Sequence, residues 1–349
     1  MASSMRDLRL AYTEFHVRDA IGAAAEFAAR HGLAAGEPAT FEGVTSVVLG
    51  PAAGTMVFTS SQVESNAVAD YVARHGDGVA DIALATPDVR AAFAAAVERG
   101  AVPIAAPAPS PRHGGVLAAT IGGFGDMVHT LLEPTGPEAP VPGHRPVAPE
   151  GTAGLLDTDH FAVCVPEGEL GRWVDHYRTV LDFESIFAER VLVGEQAMNS
   201  EVVQNAAGDV TFTILEPDST AAAGQIDDFI ARHGGAGVQH VAFRTDDIVS
   251  SVRRLRENGV EFLPIPGAYY EALPTRLIPI GHTIGELREL GVLADTDHAG
   301  QLFQIFARST HPRHTFFVEV IERMGARLFG SGNIKALYSA VAQEQATVG

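Results

Sequence analysis

Apolar positions along this chain switch between a period of two and a period near 3.6, and the order of the switches occurs twice. Residues 12–17 read as a strand, and the alanine-rich run 20–31 reads as a helix closed by Gly32, whose tolerance of left-handed geometry suits a C-cap. Residues 44–49 and 55–59 predict strands around the turn Gly50-Pro51-Ala52-Ala53-Gly54, then come a strand over 79–85 and a helix over 87–99 stopped by Gly100. The second half replays this. Tyr71-Val72-Ala73-Arg74-His75-Gly76 and the strand after it match Phe229-Ile230-Ala231-Arg232-His233-Gly234 and the strand 237–243, while Tyr12-Thr13-Glu14-Phe15 lies against His160-Phe161-Ala162-Val163. With helices over 170–181 and 248–258, the chain is expected to be an α+β protein of four strand–helix–strand modules, two per domain. The proline-rich stretch 134–152 reads as a linker between domains at 1–133 and 153–349, and a final helix is expected over 333–345, with Ile334 and Tyr338 on one face.

The duplication isolates what differs between the halves. In the stretch 156–165 the right half alternates like a strand, with His160 at its entrance where the first half has Tyr12, and His240 stands in the strand 237–243 where the first half has Asp81. One half builds these strands without histidine, so folding alone does not require them. Glu319 lies inside the apolar run Phe316-Phe317-Val318-Glu319-Val320-Ile321, where an ionised carboxylate is costly to bury unless paired or coordinated. Two imidazoles and a carboxylate are the facial triad of non-haem Fe(II) oxygenases, whose open positions serve substrate and dioxygen. Zinc takes the same ligands in hydrolases, and spacing alone does not choose between them. Two other clusters compete. Asp295-Thr296-Asp297-His298 reads as a polar turn, and His311-Pro312-Arg313-His314 carries a proline ahead of the Glu319 strand; neither is expected to supply ligands. His75 and His233 end helices in Arg-His-Gly, where an imidazole complements terminal carbonyls.

Composition narrows the partners. The 349 residues are 46% apolar, enough for two domains with real cores, and the formal charge of −19 opposes phosphate backbones and anionic bilayers. Neither nucleic acid nor a membrane is an expected partner, and a small anionic substrate would need local positive charge such as a metal. The single cysteine, Cys164, sits mid-strand as a small buried hydrophobe and makes no internal disulfide. With no signal-like start and no apolar run of ~18 residues, a cytoplasmic protein is expected. No phosphate loop or nucleophile elbow is present, and Gly122-Gly123-Phe124-Gly125 lacks a dinucleotide-site context.

The strands carrying His160, His240 and Glu319, the run Gln301-Leu302-Phe303-Gln304-Ile305-Phe306, and the tail Phe329-Gly330-Ser331-Gly332-Asn333-Ile334-Lys335-Ala336-Leu337-Tyr338 resemble the 4-hydroxyphenylpyruvate dioxygenase and 4-hydroxymandelate synthase family. The resemblance covers almost the whole chain and is strongest in the second half. It implies the vicinal oxygen chelate (glyoxalase/bleomycin-resistance-like) fold, each domain an open half-barrel, with the last helix as a lid. It also implies Fe(II) held by His160, His240 and Glu319, the keto acid 4-hydroxyphenylpyruvate and O2 as substrates, and a homodimer. The positions matching the family's substrate pocket are Ser200, Gln225, Gln239, Gln304, Phe306, Phe317, Phe329, Asn333, Ile334 and Tyr338. One branch of the family oxidises the ring to homogentisate; the other hydroxylates the benzylic carbon to 4-hydroxymandelate. Ile334 and Tyr338 replace phenylalanines of the dioxygenases, and Leu215 replaces an asparagine of the plant dioxygenases. These departures imply the benzylic branch, with a hydroxyphenylglycine precursor for a peptide antibiotic as its setting. Two other classes remain: a binding module, which needs no buried His-His-Glu set, and a glyoxalase-type isomerase or lyase, which usually has more protein ligands.

Overall fold

The computed structural model describes residues 4–50, 54–133, 141, 153–330 and 332–336. The first half runs β1 (Arg9–His16), α1 (Ala20–His31), β2 (Ala39–Phe41), β3 (Val44–Leu49), β4 (Met56–Ser61), α2 (Ala67–His75), β5 (Gly78–Ala85), α3 (Val89–Glu98), β6 (Pro103–Pro109), β7 (Leu117–Gly122) and β8 (Val128–Leu132). The second runs β9 (Thr158–Cys164), α4 (Leu170–Leu181), β10 (Glu184–Val193), β11 (Gln196–Gln204), β12 (Thr211–Pro217), α5 (Gln225–His233), β13 (Gly237–Arg244), α6 (Ile248–Glu257), α7 (Gly267–Ala272), α8 (Ile284–Leu290), β14 (Leu293–Thr296), β15 (Gln301–Phe306) and β16 (Phe317–Met324). Each half forms one curled eight-stranded sheet, ordered β2-β3-β4-β1-β5-β8-β7-β6 and β10-β11-β12-β9-β13-β16-β15-β14. Adding eight to each strand number converts the first order into the second, so the duplication read from the sequence is a duplication of topology.

Local chemistry sets the helix limits. Asp19 accepts hydrogen bonds from the amides of Ile21 and Gly22 at the start of α1, and Gly32 closes it at φ 62°. In α3 the cap is Asp88, which accepts from the Ala91 amide, so the helix begins after it rather than at Pro87. Such caps contribute about 1 kcal/mol each. Alternation then sorts the faces of the second sheet. Phe161, Val163, Phe212 and Ile214 join the core that includes Trp173 and Tyr177 of α4, while Ala162, Cys164, Met198 and Leu215 line the concave side.

The halves share a seam. Tyr177 stacks on Phe124, centroids 4.7 Å apart, and lies 4.8 Å from Phe212. His129 donates through Nδ1 to the Ile82 carbonyl at 2.8 Å, so its Nε2 accepts from the Tyr177 hydroxyl at 2.7 Å. His75 does not serve its own helix end as the sequence suggested. Its Nδ1 donates to the carbonyl of His233 across the seam, and the two rings stack at 4.4 Å, because the pseudo-symmetry brings the equivalent ends of α2 and α5 together.

Two irregularities interrupt the β9–β13 ladder. The register slips between Val238 and His240 and again between Ala242 and Phe243, which leaves Gln239 and Asp159 as extra, bulged residues. The β1–β5 ladder slips at the matching places, Ala80 and Ala11. The chain is helical again at 332–336; Tyr338 and most of the expected helix 333–345 lie outside the described residues, as does the expected linker 134–152 apart from residue 141.

Candidate metal centre

Strands β9, β13 and β16 are consecutive in the second sheet, and each contributes one group to its concave face. His160 Nε2 lies 3.3 Å and His240 Nε2 3.2 Å from the same oxygen, Oε2 of Glu319. All three residues are buried, with their ligand atoms within 4.8 Å of one another. The other ring nitrogens are engaged. His160 Nδ1 donates to Asp159 Oδ1 at 2.8 Å, and His240 Nδ1 donates to the amide oxygen of Gln239 at 3.3 Å. Each Nε2 therefore presents a lone pair, and two imidazole lone pairs face a carboxylate oxygen in a desolvated space. Such a convergence of donors calls for a cation between them, and the set fits a divalent metal.

The electrostatics agree. Burial by itself would push His160 down, but Glu319 and Asp159 hold it up at about 9. Burial would raise the Glu319 carboxyl; the two imidazoles bring it to about 2. His240 is lowered, chiefly by burial.

Around this centre the pocket residues divide into groups. Gln304 donates to Glu319 Oε1 at 2.8 Å and accepts from Asn333 Nδ2 at 2.8 Å, while Asn333 Oδ1 accepts from the Tyr269 hydroxyl at 3.0 Å. Phe329 meets His160 edge-on at 4.7 Å, Phe317 stacks on His240 at 4.7 Å, and Phe306 lies 6.2 Å from His240. Ser200 is buried on β11 opposite Leu215 of β12, and Gln225 is buried at the first position of α5. Ile334 packs against the concave apolar cluster that holds Leu215, Ala162, Cys164, Met198 and Phe229. Tyr338 lies outside the described residues.

The competing clusters are used otherwise. Asp297 accepts from the amides of Ala299, Gly300, Arg327 and Leu328, tying a turn to the segment that follows β16, and His298 is exposed. His311 Nδ1 is bonded by Thr315 and the Arg313 amide. At the matching place in the first half, Asp81 accepts from both the amide and the hydroxyl of Thr130, and Tyr12 is bonded to His113. Among the described residues, His160, His240 and Glu319 form the one group able to hold a metal.

Two participants escaped the sequence reading: Asp159, bonded to His160, and Arg323, which clamps Asp159 through Nε at 2.7 Å and Nη2 at 2.8 Å. Strict alternation points the residue before a histidine to the opposite face. The bulge overrides that, and nothing in the local sequence announces a bulge.

Comparison with known proteins decides the family. Residues 158–273 match the model of the Glyoxalase/Bleomycin resistance protein/Dioxygenase superfamily. The chain is 37% identical to a probable 4-hydroxyphenylpyruvate dioxygenase 2 of Aspergillus fumigatus, over 80% of this chain and 73% of that protein. It is 34% identical to the 4-hydroxyphenylpyruvate dioxygenase of Xenopus tropicalis, over 79% and 74%. The chain belongs to the 4-hydroxyphenylpyruvate dioxygenase family. A solved structure of a triply substituted 4-hydroxymandelate synthase from Streptomyces coelicolor superposes with a TM-score of 0.88 at 42% identity, covering 97% of this chain and 98% of that one. A Mn(II)-bound glyoxalase from Novosphingobium aromaticivorans, 14% identical with a TM-score of 0.51 over 90% of this chain and 81% of that one, shares the fold. The fold is the vicinal oxygen chelate fold, and the chain is an oxidoreductase of this family, whose His-His-Glu site is suited to a metal. No helix among the described residues is long and apolar enough to cross a membrane.

Proposed function

We propose that this enzyme holds Fe(II) at His160, His240 and Glu319 and converts 4-hydroxyphenylpyruvate and O2 to 4-hydroxymandelate and CO2. The reaction balances without a further reductant: the keto acid loses its carboxylate as CO2, one oxygen atom makes the former keto carbon a carboxylate, and the other enters the benzylic C–H bond. A ferrous ion supplies the redox chemistry that lets ground-state dioxygen react with an organic acid, and a three-ligand site leaves room for both. The domain spanning 153–349 carries the chemistry in this reading, with 1–133 as its metal-free companion.

The protein's own groups bind and orient. Gln304 and Asn333 fix the Glu319 carboxylate through their chain of amide bonds, so the ligand set does not reorganise when substrate enters. Ser200, Gln225 and Gln239 are the remaining buried polar groups proposed to recognise the substrate's phenol and acid ends. Phe306, Phe317 and Phe329 form aromatic walls that keep water from the oxidant.

The observation that carries the choice of product is the contact of Ile334 with the cluster containing Leu215. Two of the three positions where this chain departs from the ring-oxidising pattern, Ile334 and Leu215, belong to one apolar cluster. At these two positions the wall offers the substrate ring neither a phenylalanine face nor an amide, which leaves the ring free to turn and present its benzylic carbon. The 42% identity to a 4-hydroxymandelate synthase supports the same reading. The relatives named as 4-hydroxyphenylpyruvate dioxygenases support the alternative product, homogentisate.

The test is to load the purified protein with Fe(II) anaerobically, admit O2 with 4-hydroxyphenylpyruvate, and identify the product by NMR, since the two candidates are isomers. A benzylic alcohol is expected. Homogentisate as the sole product would overturn the product assignment and leave the metal and substrate in place; no turnover at all would overturn both.

A further inference from the structure

Each metal-facing histidine takes its tautomer from the side chain just before it, and each of those side chains is a bulged residue. The two supports differ in strength. Gln239 is a neutral amide at 3.3 Å, whereas Asp159 is a carboxylate at 2.8 Å held on both oxygens by Arg323. Arg323 reaches further. Its Nη1 donates to the carbonyls of Leu328 at 2.8 Å and Ala326 at 3.4 Å, and its guanidinium lies 5.0 Å from the ring centroid of Phe329, which is itself edge-on to His160. One side chain thus touches both the support of a metal-facing histidine and the segment that leads into helix 332–336.

We propose that Arg323 is a positioning residue for the metal centre: through Asp159 it fixes the direction of His160 Nε2, and through Leu328 and Phe329 it fixes the C-terminal segment against the same histidine. This rests on His160, His240 and Glu319 being metal ligands. A free Asp159 could rotate away from His160; clamped at both oxygens by a planar fork, it has one orientation. Outer-shell partners of this kind alter metal affinity by about 10- to 100-fold. Arg323 and Asp159 also border a cavity of about 540 Å3 lined by Arg327, Leu328 and Phe329. The double role explains why the arginine lies four residues beyond Glu319 on the same strand: it brackets the site on the side from which the tail departs.

The experiment measures Co(II) alone binding to the metal-free protein by its visible absorption, for the native chain and for Arg323→Gln, Arg323→Lys, Asp159→Asn and His160→Ala. Arg323→Gln and Asp159→Asn should each weaken Co(II) about 10- to 100-fold and change the spectrum. Their combination should weaken it no more than either alone, because both remove one support. Lys should recover part of the loss, and Arg323→Ala, which opens onto the cavity, should regain affinity on addition of guanidinium. Hydrogen exchange separates the two roles: amides of 328–330 and 332–334 should exchange faster in Arg323→Gln and at the native rate in Asp159→Asn. Native Co(II) affinity in Arg323→Gln or Asp159→Asn, with binding lost in His160→Ala, would overturn the positioning role. Unchanged binding in His160→Ala would overturn the metal-centre reading itself. Should Arg323→Gln fail to fold, Asp159→Asn decides the first point and Arg323→Lys the second.

Discussion

Replacing Asn333 with alanine should loosen the C-terminal segment without unfolding the enzyme. Asn333 is 0% exposed and joins Tyr269 to Gln304, which holds Glu319. The Tyr269 hydroxyl survives the change, because its one proton turns to the Ala294 carbonyl while it goes on accepting from the Ala294 amide. Gln304 Oε1 does not: the amide of Asn333 is the donor it accepts from, and a desolvated, unpaired acceptor costs about 1–3 kcal/mol. Taking about 2 kcal/mol, the open population of this segment rises roughly 30-fold. It is still held by the Asp295 carboxylate on the amides of Gly332 and Asn333, by the packing of Ile334, and by Arg323 at Leu328 and Phe329. The assay is amide exchange at residues 333 and 334, both bonded to the Gly330 carbonyl, read beside the urea midpoint of the whole chain. Exchange should accelerate about 30-fold while the midpoint hardly moves. Exchange within threefold of native, or a global loss of the full 2 kcal/mol, would refute the reasoning, the second by showing that Asn333 belongs to the main cooperative core.

If the proposed benzylic hydroxylation holds, Ile334→Phe should divert part of the product from 4-hydroxymandelate to homogentisate by placing a ring at that position of the apolar cluster; an unchanged product ratio by NMR would show that Ile334 does not set the product. Three histidines, His31, His129 and His233, are driven by burial to about 4 and fold as neutral rings. Because these values lie below the unfolded value near 6.5, their contribution is complete above that pH and is lost as pH falls from about 6.5 to 4, by up to about 3 kcal/mol for each group. A urea midpoint that is flat between pH 7 and 4.5 would contradict it. In the first half, Arg112→Met should destabilise by about 3 kcal/mol, since Glu14, 1% exposed, loses its guanidinium partner. Adding Glu14→Gln should recover much of that loss in the same denaturation assay, and a double variant no better than the single would show that the cost is packing rather than charge.

The sequence by itself determined the elements and the chemistry available to them. The limits of α1 and α4, read as 20–31 and 170–181, agree with the structure because caps and periodicity are local: Gly32 in left-handed geometry ends one, and Asp182 in the same region at φ 56° ends the other. The duplication was legible because equivalent segments must satisfy the same burial pattern, and it singled out His160 and His240 as residues the fold does not need. Glu319 stood out because a charge inside an apolar run has to be compensated.

Tertiary structure decided how those residues meet. His160, His240 and Glu319 come from three neighbouring strands, and only the strand order of the sheet places two Nε2 atoms on one carboxylate oxygen. The supporting side chains were hidden for a sharper reason. Asp159 and Gln239 each precede a histidine, and alternation sends them to the far face; one extra residue in each strand of the β9–β13 ladder turns them back onto the imidazoles. Arg323 clamps a residue 164 positions earlier in the chain, and His75 bonds a carbonyl 158 positions later. Composition and period carry the identity and face of a side chain, but a slip in ladder register and a contact across the seam are properties of two segments at once, and neither segment records them alone.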